Sequence, residues 1–300
     1  MDDPKELLLD PAKCGEDILA IANRAFALAP IMCNGCASYH MRVPAVRAAG
    51  MGVSVEIDRH LVVAAVRSVF NNSAVRQNRN PTIVILGSAD TGLLSTCAHA
   101  VAVLDHDLAL HTKFIVADLC STPLALCKEF GALHSLDVTT YQMDFVVESL
   151  QEPADVIFLH SVLRFIRPEL RAPFLQKLAM QLRPGGRMII SNHVYSERER
   201  NGGELTNRRK LALQKVFDLM RSGQLKTALP FEKLCADLEE SFLVSQNRDS
   251  AIQNLDDGLT LLRHAKLQAE LTEINQLNLK DAFGEVKRDR FLAIASQIDG

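Results

Sequence analysis

Residues 155–191 read DVIFLHSVLRFIRPELRAPFLQKLAMQLRPGGRMIIS. A short apolar run (DVIFL, 155–159) is followed by an amphipathic helical stretch (168–182). Then come a tight turn built from Arg183, Pro184, Gly185 and Gly186 and a second apolar run (RMIIS, 187–191). Neither run alternates with polar residues as a half-exposed strand does, and each has the length of a strand buried on both faces. Strand, helix, turn and strand together predict parallel pairing through a right-handed crossover.

The same unit recurs upstream. TIVIL, from Thr82 to Leu86, is bounded by Asn80-Pro81 and Gly87, and helical spacing follows from Gly92 to Leu104. KFIVA (113–117) is a second buried strand ending at Asp118. Residues 122–130 are helical up to Gly131, and 136–141 is a third strand. Downstream of His193, helices are predicted at 205–220, 231–244 and 256–265. Two last strands follow at 270–277 and 290–296. The segment 278–289 between them is too short for a helical crossover, so they should pair antiparallel. The predicted fold class is therefore α/β, a doubly wound, seven-stranded mixed sheet spanning residues 80–300 and carrying a helical insertion at about 195–255.

Residues 1–79 read as a helical N-terminal cap. Apolar residues recur at helical spacing over 5–30 and 55–78, where Ile57, Leu61, Val62, Ala65, Val66 and Val69 share one face and Asn71-Asn72-Ser73 is a stop signal. Residues 33–52, rich in Gly, Pro and small side chains, read as loop with a short helix. Cap and insertion are expected to pack together as a lid above the carboxyl ends of the strands. Leu211, Val216, Leu219 and Met220 would supply the lid core or part of a substrate pocket.

The composition narrows the function classes. Of 300 residues 48% are hydrophobic and 23% charged, enough apolar material for a buried core, and the formal net charge of −3 gives no overall field for a polyphosphate backbone. Arg198, Arg200, Arg208, Arg209 and Lys210 are interleaved with Glu197, Glu199 and Glu204, the pattern of a solvated helix face, so no nucleic-acid partner is expected. No apolar run approaches the roughly 18 residues needed to span a bilayer. The opening MDDPKELLLD lacks a signal peptide's basic and apolar regions. The expectation is a cytoplasmic protein, away from membranes, with its seven cysteines reduced. Cys33-x-x-Cys36 has metal or redox spacing, but with His40 the set is one ligand short; both cysteines read as small buried residues, and no metal is expected.

In a doubly wound sheet, ligands bind beyond the carboxyl ends of the strands. After the first strand, Gly87-Ser88-Ala89-Asp90-Thr91-Gly92 runs into a helix N-terminus and permits close approach to the backbone; it is also what a plain tight turn looks like. Asp118, after the second strand, can accept both hydroxyls of a ribose or cap the next helix, a task Ser121 and Thr122 can also do. Asp144 and Phe145, after the third, suit an exocyclic amine and a purine face, or serve as a loop acid and a core aromatic.

Taken together, TIVILGSADTG, FIVADLCSTPLALC, YQMDF, PADVIFLHSVLRFI, QLRPGGRMIIS and the closing hairpin resemble the class I S-adenosylmethionine (SAM)-dependent methyltransferases, over residues 80–194 and more loosely over 256–297. The resemblance implies SAM as cofactor and S-adenosylhomocysteine as product. It places Gly87, Ser88 and Ala89 around the methionine half, Asp118 on the ribose, Leu119 against adenine, and Asp144 and Phe145 at the adenine edge and face. His160 would stand beside the transferable methyl. The chain departs from the family where Leu86 replaces an acidic residue and Ser88, Ala89 and Asp90 interrupt the glycine pattern, which leaves the methionine ammonium to another partner such as Asp90.

Methyl transfer from a sulfonium mainly requires alignment and exclusion of water, with a base where the nucleophile carries a proton. His160 is the first candidate base and His193, after the fifth strand, the second; either can instead be a structural histidine. Tyr39 and His40, in the N-terminal segment, are candidates for contacting substrate, or an ordinary packed Tyr and an exposed His. The expected activity is methylation of an O or N atom of a small metabolite, with a homodimer possible through the N-terminal helices. A noncatalytic SAM-binding or protein-interaction module shares the fold. A nicotinamide oxidoreductase is disfavoured by the final hairpin and the incomplete G-x-G-x-x-G pattern.

Overall fold

The computed structural model describes residues 4–52, 54–71, 80–194, 203–246 and 251–297. Asn72, Ser73, Glu197, Arg198, Glu199 and Arg200, named above, lie outside them. Seven strands form one sheet in the order β3-β2-β1-β4-β5-β7-β6: β1 Thr82–Leu86, β2 Lys113–Asp118, β3 Asp137–Gln142, β4 Ala154–His160, β5 Leu182–Val194, β6 Leu267–Asp281 and β7 Gly284–Gln297. β1 to β5 pair in parallel, whereas β7 runs antiparallel to both β5 and β6. This is the predicted doubly wound mixed sheet, closed by the predicted hairpin.

The apolar runs divide their side chains between two layers. Ile83 and Ile85 of β1, Phe114 and Val116 of β2, and Val156 and Phe158 of β4 face one core, shared with helices α4 (Ser54–Asn71), α5 (Gly92–Leu104), α6 (His106–His111) and α7 (Ser121–Leu133). Val84, Leu86, Ile115, Ala117, Ile157 and Leu159 face the other, beneath α8 (Pro168–Ala179) and α11 (Leu255–His264). Each fully buried Ile, Leu or Phe contributes about 1.5–3 kcal/mol of transfer free energy, so a strand carrying them on both faces has one stable place, between two helical layers. On α4, the face from Ile57 to Val69 lies in the first core as its spacing predicts.

A third apolar cluster lies outside the sheet. It joins α2 (Ile18–Met32) and α3 (Ala37–Ala48) to α9 (Gly203–Arg221) and α10 (Phe231–Gln246), through Phe26, Met41, Val46, Val216, Phe217, Leu234 and Phe242. Leu219 and Met220 belong to it, while Leu211 is exposed. Packing of the insertion on the N-terminal helices therefore holds.

Four local expectations are corrected. The loop over 33–52 contains the twelve-residue α3, which tolerates Pro44 because that turn is packed on all sides by buried neighbours. The N-terminal stretch is split into α1 (Pro4–Leu9) and α2 by a turn in which Asp17 caps α2. α7 runs through Gly131, whose missing Cβ would stand 2.4 Å from Val138 Cγ2, so this glycine serves close packing of helix on strand and does not end the helix. The Pro-Gly-Gly turn and most of 278–289 are strand, so β5, β6 and β7 are longer than their apolar centres suggest.

Candidate functional site

Most of the site candidates stand at the carboxyl ends of β1 to β4. Gly87 sits at φ +76° just past β1, and its N–H donates to the Ala117 carbonyl at 2.8 Å. A Cβ at Gly87 would meet Val162 Cγ2 at 2.8 Å and Phe145 Cζ at 3.7 Å, so the turn can be this tight only with glycine, and Phe145 borders it. The next N–H, of Ser88, donates to Asp118 Oδ2 at 2.8 Å, and Cys120 N–H donates to Asp118 Oδ1 at 2.8 Å. Asp118 thus ties the turn after β1 to the start of α7. Each carboxylate oxygen accepts one backbone N–H through those bonds, and the Leu119 N–H bears on the same carboxylate. Burial raises the Asp118 pKa, with the Cys120 and Ser88 amides and His40 working against it.

Leu119, the next residue, is 65% exposed although strongly apolar. Its carbonyl accepts from Gln142 Nε2 at 3.1 Å, and Met143 N–H donates to the Asp118 carbonyl at 3.0 Å, which brings the loop after β3 alongside. In that loop Asp144 Oδ1 accepts the Val146 N–H, and Phe145 is buried with its ring 5.9 Å from that of Phe174. Lys177 Nζ fastens the loop by donating to the carbonyls of Phe145, Val146 and Glu148. Phe145 is therefore a core aromatic that also edges the turn, and Asp144 is engaged in its own loop.

His160 stands at the end of β4, with Nε2 2.7 Å from Asp58 Oδ2 on α4. Arg290 of β7 pairs with the same carboxylate and places Nη2 3.2 Å from His160 Nε2. Burial, then the Arg290 charge, lowers the His160 pKa, while Asp58 opposes them; the net shift favours the neutral imidazole. Nε2–H donating to Asp58 makes Nδ1 the basic nitrogen. His193 is corrected: it does not follow β5 but lies buried within it, opposite Arg290 of β7, because β5 runs three residues past the register it shares with β4.

Asp90, the candidate partner for the methionine ammonium, is buried and engaged by the protein itself. Its Oδ2 accepts from Arg47 Nη1 at 2.7 Å and its Oδ1 from Gly92 N–H at 2.9 Å. Arg47, buried on α3, also pairs with Glu16 at 2.6 Å and with Glu56. Burial disfavours its charge, but Asp90, Glu56 and Glu16 outweigh that and raise its pKa.

Tyr39 and His40, on α3, come to the same region. Tyr39 is half-buried within electrostatic reach of Asp90 and Asp118, and burial raises its pKa. His40 is buried, not exposed, and its Nδ1 lies 3.0 Å from the Ala89 carbonyl in the turn after β1. Four candidate metal ligands meet here: the Cys33, Cys36 and Cys120 sulfurs and a His40 ring nitrogen all lie within 4.8 Å of one another. Cys33, Cys36 and His40 are by themselves one ligand short, so the sequence predicts no metal; the fourth, Cys120, comes from the N-cap of α7, and Cys33 and Cys36 are half-buried, not core residues. Burial disfavours the Cys120 thiolate, yet hydrogen bonds from His40 and Thr122 bring its pKa down to about 6. All seven cysteines are free thiols, and among the described residues no helix is long and apolar enough to cross a membrane.

Neither a protein-family profile nor a curated protein matches the chain. Solved structures do. An O-methyltransferase family 2 protein from Planctomyces limnophilus, in complex with apigenin, matches at 12% identity and TM-score 0.44 over 95% of this chain and 66% of its own. The N-methyltransferase NodS from Bradyrhizobium japonicum, in complex with S-adenosyl-L-homocysteine, matches at 14% identity and TM-score 0.42 over 82% of this chain and 89% of its own. TehB from Haemophilus influenzae matches at 14% identity and TM-score 0.44 over 77% and 62%. The chain thus spans about two-thirds of the first and less of the third. The fold assignment rests on the strand order and pairing described above.

Proposed function

We propose that this chain is a SAM-dependent methyltransferase acting on an O or N atom of a small molecule. The observation that carries the reading is the 2.8 Å bond from Ser88 N–H to Asp118, which joins the turn after β1 to the acid after β2. The residues suit an adenosyl group by their chemistry. Asp118 offers remaining acceptor capacity to a ribose hydroxyl, and exposed Leu119 and the Phe145 edge offer apolar surface to a base. SAM supplies a methyl already activated on a sulfonium, so the chain's share of the work is to bind, align and exclude water. His160 is the candidate base, neutral and held through Nε2 by Asp58, with Nδ1 as proton acceptor. Tyr39, on the helix that packs over the turn, is the candidate substrate contact.

A second reading, a noncatalytic methyltransferase-like module, is favoured by one feature. The methionine end of the turn is engaged by protein groups, Asp90 by Arg47 and the Ala89 carbonyl by His40. Isothermal titration of the full chain separates the two. Micromolar SAM affinity with competition by S-adenosylhomocysteine supports the enzyme, and absence of binding at millimolar ligand leaves the module.

A further inference from the structure

We propose that Cys33, Cys36, His40 and Cys120 form a structural zinc site that fastens the N-terminal helices to the start of α7. The inference is independent of the methyltransferase reading, since it uses neither SAM nor a reaction. Three thiols and an imidazole are the donor set that zinc selects over magnesium or calcium, and four protein ligands leave no open position, which is the hallmark of structural and not catalytic zinc.

The geometry is close to what the ion requires. Zinc–sulfur bonds of about 2.3 Å in a tetrahedron separate the sulfurs by roughly 3.8 Å. Cys33 Sγ and Cys120 Sγ stand 3.2 Å apart, and the whole set lies within 4.8 Å, so adjustments of an ångström or less complete it. The chain is shaped for the purpose at each ligand. Cys33 is the C-cap of α2 and Cys36 the N-cap of α3, and the turn between them passes through Gly35 at φ +83°. His40 lies one helical turn beyond Cys36, so the two share a face of α3. Cys120 caps α7 from the other side.

The surroundings point the same way. His40 Nδ1 is 3.0 Å from the Ala89 carbonyl, so Nδ1–H donates there and Nε2 presents its lone pair to the sulfurs. A metal-ligating histidine almost always has such an outer partner, which fixes tautomer and ring orientation. The Thr122 hydroxyl, 3.0 Å from Cys33 Sγ, is placed to donate to a thiolate. Half-buried Cys33 and Cys36 leave the ion a way in, while buried His40 and Cys120 hold the inner side. Loading releases thiol protons and joins α2 and α3 to α7 through four bonds across 87 residues of sequence.

The test is metal analysis of the full chain, purified under reducing conditions and desalted. About one zinc per chain is expected. Replacing it with cobalt(II) should give sulfur-to-cobalt charge transfer and the intense visible bands of tetrahedral thiolate coordination. Cys120→Ser, which removes one of three thiolates, should weaken those bands, and His40→Cys should keep them. Chelation should lower the melting temperature of the wild type, and zinc should restore it. Because the cobalt titration uses the wild type, a variant that fails to fold does not protect the idea. A reduced chain that retains neither zinc nor cobalt after desalting overturns it, as does cobalt bound with the spectrum of oxygen ligands or recovery of Cys33 and Cys120 as a disulfide in metal-free protein.

Discussion

His160, at the carboxyl end of β4, and Asp58, on α4, meet in a 2.7 Å hydrogen bond across 102 residues of sequence. Burial resists ionisation of Asp58, but Arg290 and His160 more than offset it and take its pKa to about 2. Burial and Arg290 lower that of His160. The folded imidazole therefore takes up a proton less readily than the unfolded one, so stability should fall as pH drops below about 6.5, where the unfolded chain binds protons first. Asp58 adds a second loss, of about 2 kcal/mol, as pH falls from its ordinary value towards about 2. Urea midpoints measured between about pH 5 and pH 8 should decline on acidification, and His160→Gln should flatten that decline. An equally steep decline in the variant would remove His160 as its source.

The cofactor pose makes a prediction at Asp118. Asp118→Ala should weaken SAM binding by about 1–3 kcal/mol, the loss expected when hydrogen bonds to a charged acceptor disappear, or about 5–150-fold in Kd. Asp118→Asn retains one acceptor oxygen and should lose less. Titration calorimetry reads both, and an unchanged Kd in the alanine variant counts against the pose.

Arg47 holds three acids. With its guanidinium removed, Glu16 and Asp90 are left buried with side-chain exposures of 0% and 5%. Arg47→Met should cost about 3–5 kcal/mol, the range for breaking a buried pair from one side. A loss below about 1 kcal/mol in denaturant unfolding would place this network with ordinary surface pairs.

Gly131 is a packing glycine. Gly131→Ala puts a methyl 2.4 Å from Val138 Cγ2 and should cost about 1–3 kcal/mol by overpacking. Val138→Ala in the same chain should return part of it, giving a coupling energy in a double-mutant cycle. Strict additivity of the two changes would show that the helix relieves the contact by moving.

The sheet was legible because its signal is local. Ile83 to Leu86 or Val156 to Leu159 are apolar on both faces, and few environments other than the middle of a three-layer fold accept that. Only a short helix was legible within 33–52, since Pro44 is a breaker by propensity and burial against α2, α9 and α10 is what carries α3 through it to twelve residues. The positions of Asp118 and His160 followed from strand ends, but their partners did not. Asp58 reaches His160, and Cys120 reaches Cys33, over distances in sequence that carry no periodicity to read. The i, i+4 spacing of Cys36 and His40 after a C-x-x-C is the hint of a metal set that the sequence carries, and its missing member stands two residues past Asp118.

The apolar cluster outside the sheet has a consequence for biosynthesis. Phe26 and Met41 are covered by Val216, Phe217, Leu234 and Phe242, side chains synthesised long afterwards. A chain growing from the ribosome therefore carries two greasy helices uncovered while the entire parallel half of the sheet is being made. Such a segment is a natural client for holding chaperones, and its docking, dominated by contacts remote in sequence, should be the slow and late event of maturation.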